Sequence, residues 1–350
     1  MPPPEYPTVT GRPGNVVAGV LALSVCVLVF GPGGPARAQQ AAVPTRPDLI
    51  DEATEKAIER GLDYLARTQG RDGAWRSAGR SGLYPATMTS LAGLGLMAGG
   101  NTPVEGKYAR QVRRAVDYVL SCAQPSGLIS RMEESQPMYG HGFSMLFLAE
   151  AYGMEQDATR QARIKRVLEK AVQLTGRSQS KEGGWLYTPD SGGDEGSVTI
   201  TQIQGLRAAR NAGIKVPRTI IDKAIKYIEN SANADGGIRY RASQRPGTSP
   251  RPPITAAAVA VLYNAGDYDN PVAYRALNFV DKMYKNNRRQ LLGGHKFYTM
   301  LYLAQAKYLS VGAKDAEGNV VQSEEDWRTF FKDIRSDLVS TQSGDGSWQG

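Results

Sequence analysis

Cysteine and histidine are nearly absent, with two of each in 350 residues. Cys26 lies inside an apolar run near the start, so Cys122 stands alone in the rest of the chain. An intramolecular disulfide is therefore excluded there. Aromatic residues other than tyrosine are few: 7 Phe and 4 Trp against 17 Tyr. Runs of Lys or Arg are missing despite a net charge of +8, the longest clusters being Arg110 to Arg114 and Arg288-Arg289. Bases alternate with acids instead, as in Glu52, Glu55, Lys56, Glu59 and Arg60. That pattern describes a solvated helix face and argues against a nucleic-acid-binding stripe. No phosphate-binding loop, dinucleotide-type glycine fingerprint or Gly-x-Ser-x-Gly elbow is found, which removes the common nucleotide and serine-hydrolase plans.

Long apolar runs are also scarce. The one that stands out is Val16 to Phe30, whose 15 residues fall short of the ~20 needed to span a bilayer. Arg12 precedes it, Gly31, Pro32 and Pro35 break it, and Ala36-Arg37-Ala38 follows. A basic start, a short apolar core and a small-residue cleavage site make a secretory signal. The expectation is a signal peptide over 1–38, cleavage before Gln39, and an exported mature chain over 39–350, periplasmic or secreted, with no transmembrane helix left.

What is abundant is repetition. Five segments share one phrase, a polar turn with glycine followed by an aromatic or aliphatic residue: Gln69 to Trp75, Gln124 to Ile129, Gln179 to Trp185, Asn233 to Ile238 and Gln342 to Trp348. Gly294 fits a degenerate copy between the last two. Counting Gly73, Gly127, Gly184, Gly237, Gly294 and Gly346, the period is about 54 residues, a fixed spacing that marks a repeat architecture. An amphipathic helix precedes each turn, as Ala57, Ile58, Leu62 and Leu65 recur at helical spacing. A more apolar helix follows it, as in Phe143 to Leu148 and Ile254 to Leu262. Half-polar then apolar, repeated, predicts outer and inner helices. The fold class expected is all-α, an α/α toroid, with six outer helices and five inner ones. Trp348-Gln349-Gly350 is where a sixth inner helix would begin, so a chain lacking its last inner helix is expected.

The Gln-x-x-x-(x)-Gly-x-Trp turns resemble the repeats of squalene and oxidosqualene cyclases and of protein prenyltransferase β-subunits, across essentially all of residues 39–350. The resemblance implies that Gln69, Trp75, Gln179, Trp185, Gln342 and Trp348 are structural. The acidic Asp-x-Asp-Asp motif of the cyclases is missing. Asp194-Glu195 sits at the corresponding kind of position and is the candidate acid; Asp267-Tyr268-Asp269-Asn270 reads as a turn. A prenyltransferase-like zinc site needs Asp, Cys and His converging, and Cys122 lies away from both histidines, so neither a metal nor another cofactor is expected. The Cys-Gly-Glu-Gln of complement-like thioester domains is not matched by Cys122-Ala123-Gln124-Pro125.

In such a ring the inner helices run parallel, and their N-termini, which favour anions, gather at one mouth. That mouth is expected to collect Tyr139, His141, Asp194, Glu195, Ser197, Thr255, His295, Lys296 and Tyr298. Both histidines read as occupying the same place in their repeats. Tyr139, His141, His295, Lys296 and Tyr298 are the candidate ligand-binding residues, Asp194 and Glu195 the candidate catalytic ones. The Pro-rich insert Arg245 to Pro253 precedes the fourth inner helix as a stiff loop or a lid over the mouth. Three functions remain open: a toroid that binds an apolar, isoprenoid-like ligand or an extracytoplasmic protein partner; a divergent terpene-cyclase-like enzyme using Asp194 or Glu195 as acid; and an extracellular carbohydrate-active enzyme, which would need two carboxylates across a groove.

Overall fold

The computed structural model describes residues 48–76, 84–265, 267, 269–315 and 317–349. The apolar run and the expected cleavage site lie outside them. Among the described residues the regular structure is helical, an α/α toroid. The outer helices are α1 (Glu52–Thr68), α3 (Ala109–Ser121), α5 (Ala158–Arg177), α7 (Arg218–Ser231), α9 (Pro271–Asn286) and α12 (Glu324–Thr341). The inner ones are α2 (Pro85–Ala98), α4 (Pro137–Tyr152), α6 (Gly196–Asn211), α8 (Pro252–Asn264) and α11 (Lys296–Leu309), and a short α10 (Arg288–Leu292) links α9 to α11.

Local chemistry starts several of the helices. Asp51, Asp157 and Ser323 cap α1, α5 and α12 through side-chain oxygens, satisfying amides that have no partner in the first turn. Proline opens α2, α4 and α8, where its missing N–H costs nothing. The inner helices pack side by side in the order α2, α4, α6, α8, α11. Nearly every residue of α4 is buried, whereas α1 buries only Thr54 and Ala57 fully. Small residues bring α4 and α6 together: a Cβ built on Gly205 would lie 2.8 Å from the Gly142 carbonyl.

The repeated turn is a splice between neighbouring outer helices. Gln69 Nε2 donates to Gly73 O and to Gln111 O of α3, each at 2.9 Å. Gln179 Nε2 does the same with Gly183 O (2.8 Å) and Ile220 O of α7 (2.9 Å). Gln342 Nε2 reaches Gly346 O (3.0 Å) and Ala57 O of α1 (2.8 Å), so the outer wall closes on itself. The indole N–H groups of Trp75, Trp185 and Trp348 each donate at 2.8 Å to a carbonyl of their own outer helix. These residues are structural, as the resemblance implied.

The glycine register differs from the sequence reading at three points. Gly73, Gly127, Gly183, Gly236 and Gly346 hold positive φ, and a Cβ on any of them would come within 2.5 Å of a carbonyl oxygen on the next outer helix. The turn therefore needs glycine twice over, for conformation and for close approach. Its residues are Gly183 and Gly236, not Gly184 and Gly237. Gly294 also has positive φ but stands in open space after α10, so the fifth turn is replaced by that short helix.

Candidate functional site

The starts of α4, α6, α8 and α11 meet at one end of the ring, as the repeat order requires. They border a cleft of about 1150 Å³ whose walls include Tyr139, Tyr240, Arg251, Phe279, Lys282 and Tyr298. Ser249, Pro250, Pro252 and Pro253 form part of one wall, so the Pro-rich insert flanks the cleft. The insert is anchored from below: buried Arg239 donates from Nη1 to Ala232 O and to Asn233 Oδ1, while Asn233 accepts from Gly247 N and donates to Thr248 O.

Glu195 lies under the floor, fully buried. As the cap of α6 it accepts from Ser197 N at 2.9 Å, Val198 N at 2.5 Å and Ser197 Oγ at 2.7 Å. The Tyr139 hydroxyl donates to it at 3.3 Å and also contacts Ser197 Oγ. Asp194 is turned the other way, against Gly184 and Tyr227 of α7. Burial holds its carboxyl above the ordinary 3.8, because the charged form loses its water. Neither acid lines the cleft, where the one carboxylate among the described lining residues is Asp235.

The two histidines do not share a place. His141 is one turn into α4 and fully buried; its Nδ1 accepts from Ile129 N at 3.1 Å and its Nε2 meets Thr175 Oγ1 at 3.0 Å. The acceptor role on the preceding turn belongs to Thr89, Thr199 and Thr255 in the sister repeats. His141 is thus a structural equivalent of those threonines, and burial lowers its pKa to about 4. The counterpart of His295 is Glu195, since each accepts the hydroxyl of the threonine four residues on. His295 precedes α11 and lines the cleft. Lys296 turns to α12, 3.3 Å from Asp337.

Tyrosines dominate the deep end. Tyr139 and Tyr187 rings lie 6.1 Å apart, the Tyr187 and Tyr240 hydroxyls meet, and Tyr298 packs edge-on to Tyr302 at 4.7 Å. The Tyr298 hydroxyl is buried and has no hydrogen-bond partner. Tyr302 Oη donates to Gln204 Oε1 at 2.9 Å and Gln204 Nε2 to Gln305 Oε1 at 3.3 Å, joining α6 to α11 across α8. The cleft opens at the mouth. Arg251, Lys282, Tyr240 and Phe279 were missed in the sequence because loops and an outer helix supply them. The cue that was available is the cation beside the prolines at Arg251.

Among the described residues no cluster of three or more His, Cys, Asp or Glu side chains is arranged to hold a metal. Cys122 is buried and its thiol is pushed up to about 11 by burial, which leaves it inert as a nucleophile.

The architecture has solved counterparts. The structure of the type II terpene cyclase MstE from Scytonema superposes with a TM-score of 0.54 at 15% identity, over 87% of this chain and 82% of that one. A protein from Actinoplanes superposes with a TM-score of 0.56 at 16% identity, over 85% and 83%. The fold is that of a terpenoid-cyclase-like toroid. No protein-family model and no curated protein sequence matches the chain. At such identities the likeness concerns the fold, and the function is to be argued from the site.

Proposed function

We propose that this chain is an exported binding toroid whose ligand lies in the mouth cleft, with an apolar or isoprenoid-like body against Tyr139, Tyr240, Tyr298 and Phe279. One observation carries the reading. Of the two acids at the place of the cyclase motif, Glu195 caps α6 with both oxygens occupied, and Asp194 faces α7 and stands outside the cleft lining. A cation-initiating acid must present a proton to the substrate, and neither Asp194 nor Glu195 is among the residues that line the cleft. The mixed wall of aromatic rings and prolines suits an amphipathic ligand. The terpenoid-cyclase-like fold supports an isoprenoid body. Export rests on the apolar run and the Ala-x-Ala pattern before Gln39.

A second reading has a specific support. Glu195, Ser197 and Tyr139 form a connected line from the buried carboxylate to the cleft wall, and such a line in a divergent cyclase would deliver a proton. The experiment is to purify the protein from its exported fraction, extract it with organic solvent and analyse the extract by mass spectrometry, then to offer any isoprenoid found to the wild type and to Glu195→Gln. A stoichiometric lipid recovered unchanged from both proteins supports the binder. Turnover by the wild type that Glu195→Gln abolishes would replace it with the cyclase. An empty extract together with no uptake of offered isoprenoids would remove both, and export fails separately if the protein stays in the cytoplasmic fraction.

A further inference from the structure

A cluster with chemistry of its own lies at the end of the ring away from the mouth. Lys307, in the last turn of α11, is buried, and its Nζ stands 2.7 Å from Asp281 Oδ1 of α9. Among the described residues no other ion pair has both side chains so withdrawn from water. Gln322, the residue before the Ser323 cap of α12, is a third member. It is fully buried, and its Oε1 accepts from Lys307 Nζ at 3.1 Å. Its Nε2 is buried with no hydrogen-bond partner, and Asp281 Oδ1 has no partner beyond the ammonium. The Phe330 ring lies 5.7 Å from Nζ and covers a further side. Backbone bonds fix the amide in place: Gly312 N donates to Gln322 O at 2.8 Å and Val321 N to Ala313 O at 2.9 Å.

An amine, a primary amide and a carboxylate enclosed together are the parts of an amide exchange. A lysine amine is a nucleophile once it sheds its proton, and a side-chain amide carbonyl is an electrophile for it. Cδ of Gln322 is one C=O bond, about 1.2 Å, from the oxygen that Nζ already touches. Turning the amide about its last torsion brings Cδ to the ~3–3.5 Å approach of a near-attack geometry. Asp281 Oδ1 is placed to take the proton that Nζ must lose. Groups held together in this way react as one molecule rather than two, and burial keeps out the water that would hydrolyse the amide instead. The leaving group is Nε2, which no partner among the described residues holds back.

We infer that Lys307 and Gln322 become joined by an isopeptide bond, with Asp281 as the proton acceptor. The Nζ–Cδ bond forms and the Cδ–Nε2 bond breaks. Of the three Nζ protons, one stays on the new amide, one is left on Asp281 and one goes to Nε2, which departs as ammonia. Two buried charges disappear in the process, and with them the cost of keeping an ion pair out of water. The bond ties the end of α11 to the start of α12, in a chain whose one cysteine after residue 38 is Cys122. It is independent of what the mouth cleft binds.

The test is tandem mass spectrometry of tryptic peptides from the purified full chain after warm incubation. Trypsin does not cut at an acylated lysine. The expected product is therefore peptide 297–314, uncut at Lys307, joined to peptide 315–328 and lighter by one ammonia than the two together. The peptide map decides rather than the intact mass, because an amino-terminal glutamine such as Gln39 also loses ammonia when it cyclises. Gln322→Leu is expected to leave Lys307 free and cut. Asp281→Ala is expected to form the bond about a hundredfold more slowly, with circular dichroism as the folding control. The wild-type map needs no variant to be decisive: Lys307 free in every molecule overturns the inference. So does a link lighter by one water and made to Asp281. A Lys307–Gln322 link formed as fast in a folded Asp281→Ala removes Asp281 from the step.

Discussion

Gln204 of α6 and Tyr302 of α11 hydrogen-bond at 2.9 Å across the middle of the inner wall, although α8 separates their helices. Both are buried, and Gln204 also donates to Gln305. Tyr302→Phe removes the one side-chain donor to Gln204 Oε1 among the described residues and is expected to cost about 1–3 kcal/mol. Gln204→Leu in the same background should recover part of that loss, since it removes the acceptor that Tyr302→Phe strands, although Gln305 Oε1 then loses its donor. Urea unfolding of the single and double variants measures the coupling; strictly additive costs would mean that the two side chains do not act together.

The splice between outer helices makes an unequal set of glutamines. Gln179 Nε2 ties its own turn to α7, whereas Gln124 Nε2 donates to Ser130 O within its own loop. Gln179→Ala is expected to cost about 1–3 kcal/mol and Gln124→Ala about half as much. Thermal unfolding of the two variants checks the order, and equal losses would show that the inter-helix bond adds nothing.

His141 makes the fold acid-sensitive. Its pKa falls from 6.5 to about 4 on folding, because burial strips the charged ring of its water; the neutral ring accepts from Ile129 N. The unfolded chain then binds the proton more readily, so this contribution is complete above pH ~6.5 and is lost as the pH falls toward about 4. Its size is on the order of 3 kcal/mol. Replacing His141 by Thr, the residue of the sister repeats, should flatten stability between pH 6.5 and 4 while costing about 1–2 kcal/mol at pH 7 for lost packing. Unfolding midpoints across that range decide it; an unchanged slope would assign the sensitivity to another group.

Asp194 acts in the opposite sense. Burial holds its folded pKa above 3.8, so its ionisation opposes folding, and stability is expected to decline as the pH rises through the carboxylate range. Asp194→Asn should leave stability at low pH nearly unchanged and raise it at neutral pH. A loss at neutral pH would mean that the charged carboxylate is a favoured cap.

Arg239 is 3% exposed, and Nη1 and Nη2 donate only to carbonyl and amide oxygens of the 230–242 segment. Arg239→Met removes the tie beneath the Pro-rich insert and is expected to cost about 2–3 kcal/mol. It should also open residues 241–251 to limited proteolysis at Arg241 and Arg245. Unchanged cleavage would show the insert to be held by its prolines alone.

The two histidines show where sequence reading reaches its end. Similar local letters suggested one place in two repeats, yet a shift of one helical turn puts His141 against α5 and His295 at the cleft. Tyr139 and Tyr298 line the cleft, each two residues into its inner helix, whereas Lys296 at the start of α11 turns to α12. Arg251, Lys282 and Tyr240 were not legible in the sequence, because they approach from a loop, an outer helix and a turn whose paths depend on packing. The glycine register was misplaced by one at Gly183 and Gly236, since two adjacent glycines look alike until one of them must pass within 2.5 Å of a neighbouring carbonyl.

Periodicity is a local property of the chain, so the sequence by itself determined the helix pairs, the near-constant repeat and the ring they close, along with the structural standing of the turn glutamines and tryptophans. Which way a side chain faces once helices pack is a property of distances between distant residues. Only the tertiary structure decided that Glu195 is enclosed by its own helix start, that Gln204 and Tyr302 join α6 to α11, and that a cleft opens at the mouth beside the start of α11.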